Sequence, residues 1–119
     1  MKLADTFVPA HPIKAHLWVV IYCDLSQAAI VNLTTRWPGR DDSCIIQPGE
    51  HPFVQHETIV EYQHSRLLDA EQKTALERFG IKKFSEPVSE ALLLKIQRGA
   101  IASQFTPQKI QALIQRALD

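Results

Sequence analysis

Apolar and polar positions change their period near residue 65. Before that point, short β-branched and aromatic runs predict strands at 17–23, 28–33, 43–47 and 58–62. The first run is apolar on both alternating faces, which indicates a strand buried on both sides, and the second follows closely enough to form a hairpin. Residues 5–9 predict an edge strand blunted by Pro9. Pro48-Gly49 fits the centre of a type II turn.

Beyond residue 65 the apolar positions recur with helical spacing. Asp69 with Gln72 in the capping-box position predicts the start of one helix. The run 91–96 predicts a second helix, which begins from Ser85 or from Ser89. The second half of the chain is therefore expected to be helical.

The last helix has the clearest signature. Thr106 is expected to cap it, with Pro107 at the first helical position, where a missing N–H costs nothing. One apolar stripe follows at helical spacing: Ile110, Leu113, Ile114, Ala117 and Leu118. The pattern predicts one domain over 1–119, mainly β with α. Residues 1–68 would form a small antiparallel barrel, and residues 69–119 a helical part packed on it.

Composition places the chain among ordinary globular proteins. It has 119 residues, with 45% hydrophobic and 22% charged. The longest apolar run, 17–23, is far too short for a membrane span, and Asp5 interrupts the position of a signal peptide's apolar region. We therefore expect a cytoplasmic protein with no membrane contact. Cys23 and Cys44 are too few for a disulfide scaffold and lack metal-site spacing.

The net charge is zero but unevenly spread. Residues 1–62 carry four cations and seven anions, a net −3, whereas residues 63–119 carry nine cations and six anions, a net +3. Proteins that bind long nucleic acids usually present a net basic surface. Any RNA contact is therefore expected to be local or to use the basic second half.

The connection 34–43 is the first candidate for function. Arginine can clamp a phosphate in a bidentate fork, and tryptophan can stack on a base. The segment combines hydroxyls, guanidiniums and an indole: Thr34, Thr35, Arg36, Trp37 and Arg40. The alternative is a solvated hairpin loop with Trp37 folded back on the core.

Three histidines lie within a short stretch: His51, His56 and His64. A histidine beside Glu50 or Glu57 could act as a general acid or base near neutral pH. The spacings match no standard zinc pattern, so no metal is expected. The alternative is a set of turn or surface histidines.

A third polar cluster lies where the fourth predicted strand ends. Tyr62, His64, Ser65 and Arg66 emerge together there, and strand ends are often sites of function. The alternative is a strand-to-helix junction with its polar side chains in water.

Four segments in order resemble the PemK/MazF family of toxins from type II toxin–antitoxin systems. Ala-His-Leu-Trp-Val-Val-Ile at 15–21 resembles the family's central strand, and Ala-Ile-Val-Asn-Leu-Thr-Thr at 29–35 resembles its "v-v-v-P-x-T-S" strand. Ser-Cys-Ile-Ile-Gln-Pro-Gly-Glu-His-Pro-Phe at 43–53 is similar to the next strand and turn. Ile-Val-Glu-Tyr-Gln-His-Ser-Arg at 59–66 is similar to the strand that carries family active-site residues. The resemblance covers about residues 13–69.

The resemblance implies an SH3-like barrel, a homodimer and an endoribonuclease neutralised by a cognate antitoxin. The family's reaction uses the 2′-hydroxyl of single-stranded RNA as nucleophile, with neither metal nor cofactor. The family threonine falls on Thr34, whereas Glu61 and Gln63 stand where the family has arginine and aspartate.

Site residues follow from the resemblance together with the polar clusters. Arg36 and Arg66 are expected to hold the phosphate, His64 to titrate and Thr34 to position the substrate. Further RNA contacts are expected from a larger set: Thr35, Trp37, Arg40, His51 and Tyr62. Because Glu61 stands where the family has its strand arginine, a second interpretation is a non-catalytic SH3-like binding module for a protein or nucleic-acid partner. A third is a small metal-dependent hydrolase that uses the histidines.

Overall fold

A computed structural model describes residues 1–10 and 16–119. Within these ranges the chain forms seven strands and three α-helices. The strands are β1 (Thr6–Pro9), β2 (Trp18–Cys23), β3 (Gln27–Thr35), β4 (Ile45–Ile46), β5 (Thr58–Val60), β6 (Arg66–Asp69) and β7 (Ile81–Ser85). The helices are α1 (Ala70–Ala75), α2 (Glu90–Ala102) and α3 (Gln108–Leu118). A 3₁₀ turn covers Tyr62–His64, and a π-helical segment covers Leu76–Gly80.

The strands form one antiparallel sheet around β3. One edge of β3 pairs with β2, and its other edge pairs first with β6 and then with β5. The strand order is β4-β5-β3-β2-β1-β7, with β6 beside β3. Within the described residues the sheet is not closed, because β4 pairs only with β5 and β7 only with β1. The expected barrel closure is not observed, since β7 occupies the edge of β1 that a closing strand would need.

Several local predictions are confirmed. The hairpin of β2 and β3 forms as expected. Gly49 has a φ of +100°, and the N–H of Glu50 donates to the carbonyl of Gln47 over 3.1 Å, as a type II turn requires. The capping box at Asp69 and Gln72 is present. Ser89, not Ser85, caps α2, because its hydroxyl accepts the N–H of Leu92 over 3.1 Å.

Three local predictions are wrong. Residues 66–69 and 81–85 are strands, so the second half is not wholly helical. The strand at residues 6–9 is not an edge strand, because β7 pairs with it. Thr106 does not cap α3, which begins at Gln108 after Pro107. The Thr106 hydroxyl is buried and makes no hydrogen bond within the described chain.

The main core lies between one face of the sheet and helices α2 and α3. It contains alternating residues of β3 such as Ala29, Val31 and Leu33, together with Ile96 of α2 and Ile114 of α3. A smaller apolar cluster lies on the opposite face of the sheet and contains Phe7, Val20, Ile30 and Leu68. Strand alternation accounts for the division, because neighbouring residues of β3 point to opposite faces.

No helix in the described part of the chain combines the length and the apolar character needed to cross a membrane.

Candidate nucleic-acid groove

A broad groove of about 690 Å³ lies where β3 ends and meets the segment before β5. Six of its side chains offer chemistry that RNA could use: His16, Thr34, Thr35, Trp37, Phe53 and His56. We call this surface the groove. A neighbouring cavity of about 540 Å³ shares Thr35 and His56 and adds Arg36 and Glu57. The groove and this cavity therefore form one continuous concave surface.

Strand pairing brings His56 to Thr35. Thr34 lies opposite Ile59, and Thr35 lies opposite Thr58. His56 precedes Thr58 by two residues and therefore lies beside the end of β3. The Thr35 hydroxyl and Nε2 of His56 are 2.8 Å apart. The Thr58 hydroxyl donates to the His56 carbonyl over 2.9 Å, which fixes the backbone that carries the ring. The result is a preformed hydroxyl–imidazole pair at the groove wall.

His16 enters the groove from the other side of β3. Its Nδ1 lies 3.1 Å from the carbonyl oxygen of Leu33. A carbonyl only accepts, so Nδ1 carries the proton and the neutral ring has its lone pair on Nε2. That tautomer leaves His16 with a nitrogen that can accept a proton.

Two aromatic side chains line the groove with much of their surface in solvent. Trp37 is 61% exposed and Phe53 is 42% exposed. The alternative in which Trp37 folds back on the core is therefore wrong. Exposed aromatic rings beside polar groups are typical of platforms on which single-stranded bases stack.

The arginines near the groove are paired with carboxylates. Arg36 lies 2.9 Å from Glu57 and 3.6 Å from Asp42. Hydrogen bonds from the Gln47 side chain and from Arg36 hold the pKa of Glu57 below its ordinary value, so this carboxylate stays ionised. The charge of Arg36 is therefore balanced by the carboxylates of Glu57 and Asp42.

A separate polar cluster surrounds Glu61. Its carboxylate accepts a hydrogen bond from the Asn32 amide over 3.2 Å and lies 3.3 Å from Arg40. Nδ1 of His64 lies 3.5 Å from the same carboxylate. A small cavity of about 110 Å³ beside this cluster is lined by Arg40, Glu61 and Phe105 and shares no residue with the groove. Arg40 and His64 are thus gathered around Glu61 rather than around Thr34.

The four residues predicted to be catalytic do not line one cavity. Thr34 lines the groove, Arg36 lines the adjoining cavity, and His64 lies in the Glu61 cluster. In the sheet, Arg66 lies opposite Ile30. Ile30 precedes Thr34 by four residues on β3, so Arg66 is separated from Thr34 by about 13 Å along the strand direction. Arg66 lines an apolar cavity of its own.

Two residues assigned to RNA contact have no surface to offer. His51 is 3% exposed; its Nε2 donates to the carbonyl of Glu86 over 2.6 Å, and its Nδ1 accepts the N–H of Phe53. Tyr62 is fully buried, and its hydroxyl donates to the carbonyl of Ile96 over 2.7 Å. Both side chains hold the fold together, so neither belongs to the candidate site. Thr35 and Trp37 remain in it.

Sequence reasoning did not assign His16, Phe53 or His56 to the site. His56 and Phe53 belong to the histidine-rich stretch after Gly49, which did signal acid–base chemistry. No local pattern places His16 beside Thr34. Their proximity follows from long-range pairing, in which the N–H of Leu33 donates to the carbonyl of Leu17 over 2.9 Å.

The histidines do not assemble a metal site in the described ranges. Across residues 1–10 and 16–119, no three side chains of His, Cys, Asp or Glu come together closely enough to hold an ion. His51 is buried against Glu86, whereas His56 lies in the groove. The metal-dependent alternative therefore has no ligand set in this part of the chain.

Comparison of the chain with models of known protein families, with curated proteins and with solved structures finds no match. Function is therefore argued from the groove itself. Two imidazoles and two hydroxyls can accept, donate and relay protons, and two exposed rings can stack on bases. This set suits acid–base chemistry on a polyanion that carries aromatic bases.

Proposed function

We propose that the protein is an endoribonuclease of the toxin type that the PemK/MazF resemblance implies, cleaving single-stranded RNA in the groove without a metal ion. One observation carries the proposal. The pair Thr35–His56, the imidazole of His16 and the exposed rings of Trp37 and Phe53 line the same groove. Acid, base and base-stacking groups are therefore available together.

The reaction needs no nucleophile from the protein. The 2′-oxygen attacks the adjacent phosphorus, the bond from phosphorus to the 5′-oxygen breaks, and a 2′,3′-cyclic phosphate and a 5′-hydroxyl result. Nε2 of His16 takes the proton from the 2′-hydroxyl. The Thr35 hydroxyl gives its proton to the leaving 5′-oxygen and regains one from Nε2–H of the His56 imidazolium, 2.8 Å away, which leaves His56 as a neutral imidazole.

Arg36 supplies the cation for the extra negative charge on phosphorus. It lines the cavity that shares Thr35 and His56 with the groove. A guanidinium aimed at charge that develops in the transition state is worth several kcal/mol. A phosphate entering this cavity would take the place of Glu57, which now lies 2.9 Å from Arg36.

A non-catalytic binding module is the second candidate, and a specific observation favours it. Glu61 stands where the family has its strand arginine, and it pairs with Arg40. Arg36 is likewise paired, with Glu57 and Asp42. A protein that only binds single-stranded RNA needs stacking rings but no free cation at the phosphorus.

The family resemblance extends the proposal to the fold and to partners. We infer an SH3-like barrel opened at one side, in which β7 occupies the edge of β1. The central position of β3, paired along both edges, supports this view. The proposal includes a homodimer, a cognate antitoxin as inhibitor, and the cytoplasm as the place of action.

Cleavage of a varied pool of end-labelled single-stranded RNA in excess EDTA tests the nuclease function. We expect cutting by the unaltered protein and a loss of about a hundredfold or more in His56→Ala, because proton transfer typically contributes that much. His64→Ala, which removes an imidazole from the Glu61 cluster, distinguishes the two assignments of the titrating group. Loss in His64→Ala with none in His56→Ala would contradict the groove as the site.

RNA binding separates the nuclease from the binding module. Trp37→Ala should weaken binding of single-stranded RNA about tenfold or more, because stacking one base is worth about 1–3 kcal/mol. Phe79→Ala is the matched control, since Phe79 is 76% exposed but lies on the π-helical segment outside the groove. RNA that is bound through Trp37 but never cut would establish the binding module instead.

A further inference from the structure

A further cavity, of about 300 Å³, lies on the sheet face opposite the main core. Its walls come from β1, β2, β3, β6 and the segment 72–76. Most of the lining is apolar, including Phe7, Trp18, Ile30, Leu68 and Leu76. We call it the Arg66 cavity after the only charged side chain in its lining.

The cavity exists because α1 covers this face poorly. The helix has six residues and buries none of them. In the described part of the chain the smaller apolar cluster has four buried residues, and the partly buried Trp18 and Leu76 pack against it. The apolar face of the sheet is therefore only partly covered by α1.

The polar groups of the Arg66 cavity are donors. Arg66 is exposed and has no carboxylate within ion-pair distance in the described parts of the chain. Gln72 uses its Oε1 to accept the N–H of Asp69 over 2.9 Å, which leaves its amide N–H₂ to donate. The lining contains neither Asp nor Glu. The cavity is thus complementary to an apolar body that carries one negative charge.

We propose that the Arg66 cavity binds a small aliphatic monocarboxylate. The hydrocarbon part lies against Phe7, Ile30 and Leu68, and the carboxylate accepts paired hydrogen bonds from the Arg66 guanidinium. The Gln72 amide donates to the same group. The volume lies at the lower end of the range for small-molecule sites, which suits a short fatty acid. This site is independent of the proposed RNA chemistry.

Charge and shape exclude other ligand classes. A nucleotide or sugar would bury hydroxyl and base edges against Phe7 and Leu68 with no partners, which is costly. A cation would meet Arg66 with no carboxylate in the lining. A neutral aliphatic molecule would form no ion pair with Arg66, so such a molecule is the natural comparison in a binding experiment.

Fluorescence of Trp18 reports on the cavity directly. The protein has two tryptophans, so Trp37→Phe leaves Trp18 as the only indole. Sodium octanoate is the probe, and octanol, with the same chain length and no charge, is its comparison. We expect a saturable change in Trp18 emission with octanoate at millimolar or lower concentration, and binding of octanol at least about tenfold weaker.

Two substitutions locate the binding. Arg66→Gln should weaken the binding of octanoate about tenfold or more. Arg78 is exposed and lies outside the lining, so Arg78→Gln should leave octanoate binding unchanged. Ala75→Phe fills the cavity from an exposed helix position, where folding tolerates it, and should abolish binding. No saturable response, equal binding of octanol, or equal effects of Arg66→Gln and Arg78→Gln would overturn the assignment.

Discussion

Asp41 ties the long connection between β3 and β4 to the end of α2. The hydroxyl of Ser103 donates to Oδ2 over 2.6 Å, and the backbone N–H of Ser43 donates to Oδ1 over 3.0 Å. Partial burial raises the pKa of Asp41, but the hydrogen bonds from Ser103 and Ser43 outweigh it, so the pKa lies below its ordinary value. The ionised form therefore stabilises the fold and positions the loop that carries Trp37.

The first prediction concerns the pH dependence of this contribution. Because the folded pKa is depressed, the stability from Asp41 is present above the unfolded pKa of about 3.9 and lost as pH falls through the lower folded value. Asp41→Asn should cost about 1 kcal/mol at pH 7, a value reduced for partial exposure. Urea unfolding at pH 7 and about pH 2.5 measures the difference.

Asp42→Asn is the matched control, because Asp42 is exposed and its carboxylate forms one ion pair in the described ranges, with Arg36 at 3.6 Å. It should change the free energy of unfolding little at either pH. A deficit in Asp41→Asn that is as large at acid pH as at neutral pH would contradict the charge-based role of Asp41.

Single residues show why the candidate site can be predicted from the sequence only in part. Thr34, Thr35 and Trp37 were recognisable because polar and aromatic residues crowd one connection, and they do line the groove. The sequence predicts RNA contacts from His51 and Tyr62, but both side chains are buried and hydrogen-bonded to the carbonyls of Glu86 and Ile96. A sequence does not reveal such partners, since they lie more than thirty residues away.

Among the elements, most of those with local sequence signatures match their predictions, and the cap expected at Thr106 is the exception. The hairpin of β2 and β3, the turn at Gly49 and the cap at Asp69 depend on neighbouring residues. The sequence leaves the start of α2 open between Ser85 and Ser89, and only the structure selects Ser89. Strands β6 and β7 were missed because Arg-Leu-Leu-Asp and Ile-Lys-Lys-Phe-Ser carry no clear strand period. They are extended because they pair with β3 and β1, which is a tertiary effect.

Helix α2 approaches the 3₁₀ turn after β5 at Gly99. A Cβ at this position would overlap the Tyr62 hydroxyl and lie 2.9 Å from the Cβ of Cys44. The same hydroxyl donates to the carbonyl of Ile96, one turn earlier in α2. The glycine therefore sets how closely the helix packs on the residues that follow Glu61.

The second prediction tests this contact. In an open helix, Gly→Ala stabilises by about 1 kcal/mol, but overpacking a core costs about 1–3 kcal/mol. We expect Gly99→Ala to lower the free energy of unfolding, because the overlap with Tyr62 exceeds the gain in helix propensity. Chemical denaturation followed by circular dichroism measures it.

Tyr62→Phe provides the matched comparison. Alone it should cost about 1 kcal/mol, through loss of the hydrogen bond to Ile96. Combined with Gly99→Ala it should cost less than the two single changes added together, because the overlapping hydroxyl is gone. Strict additivity, or a stabilised Gly99→Ala, would contradict the packing described for α2.

At the scale of the whole molecule, the sheet formed by residues 1–10 and 16–119 is open, and several large apolar side chains lie in solvent. Leu25, Phe79, Phe84 and Phe105 are each about half exposed or more. A chain of 119 residues has a limited core, so association is one means of covering such surface. The resemblance to a family of dimers points the same way.

The third prediction is therefore a homodimer. Sedimentation at tens of micromolar, roughly the range in which modest interfaces associate, should show a species of twice the 13.5 kDa chain mass. Dilution should shift the population towards the single chain by mass action. A single 13.5 kDa species throughout would contradict dimerisation.

The chemistry of the cut ends tests the central claim most directly. The purified protein is incubated in EDTA with an RNA sequence that it cleaves, and separately with the same sequence carrying a 2′-deoxy sugar at the cleavage position. Mass spectrometry then identifies the ends of the products. A groove built from His16, Thr35 and His56 predicts 2′,3′-cyclic phosphate and 5′-hydroxyl ends from the first and no cleavage of the second. Cleavage of the deoxy-substituted strand, a requirement for divalent metal, or intact RNA in every case would contradict it.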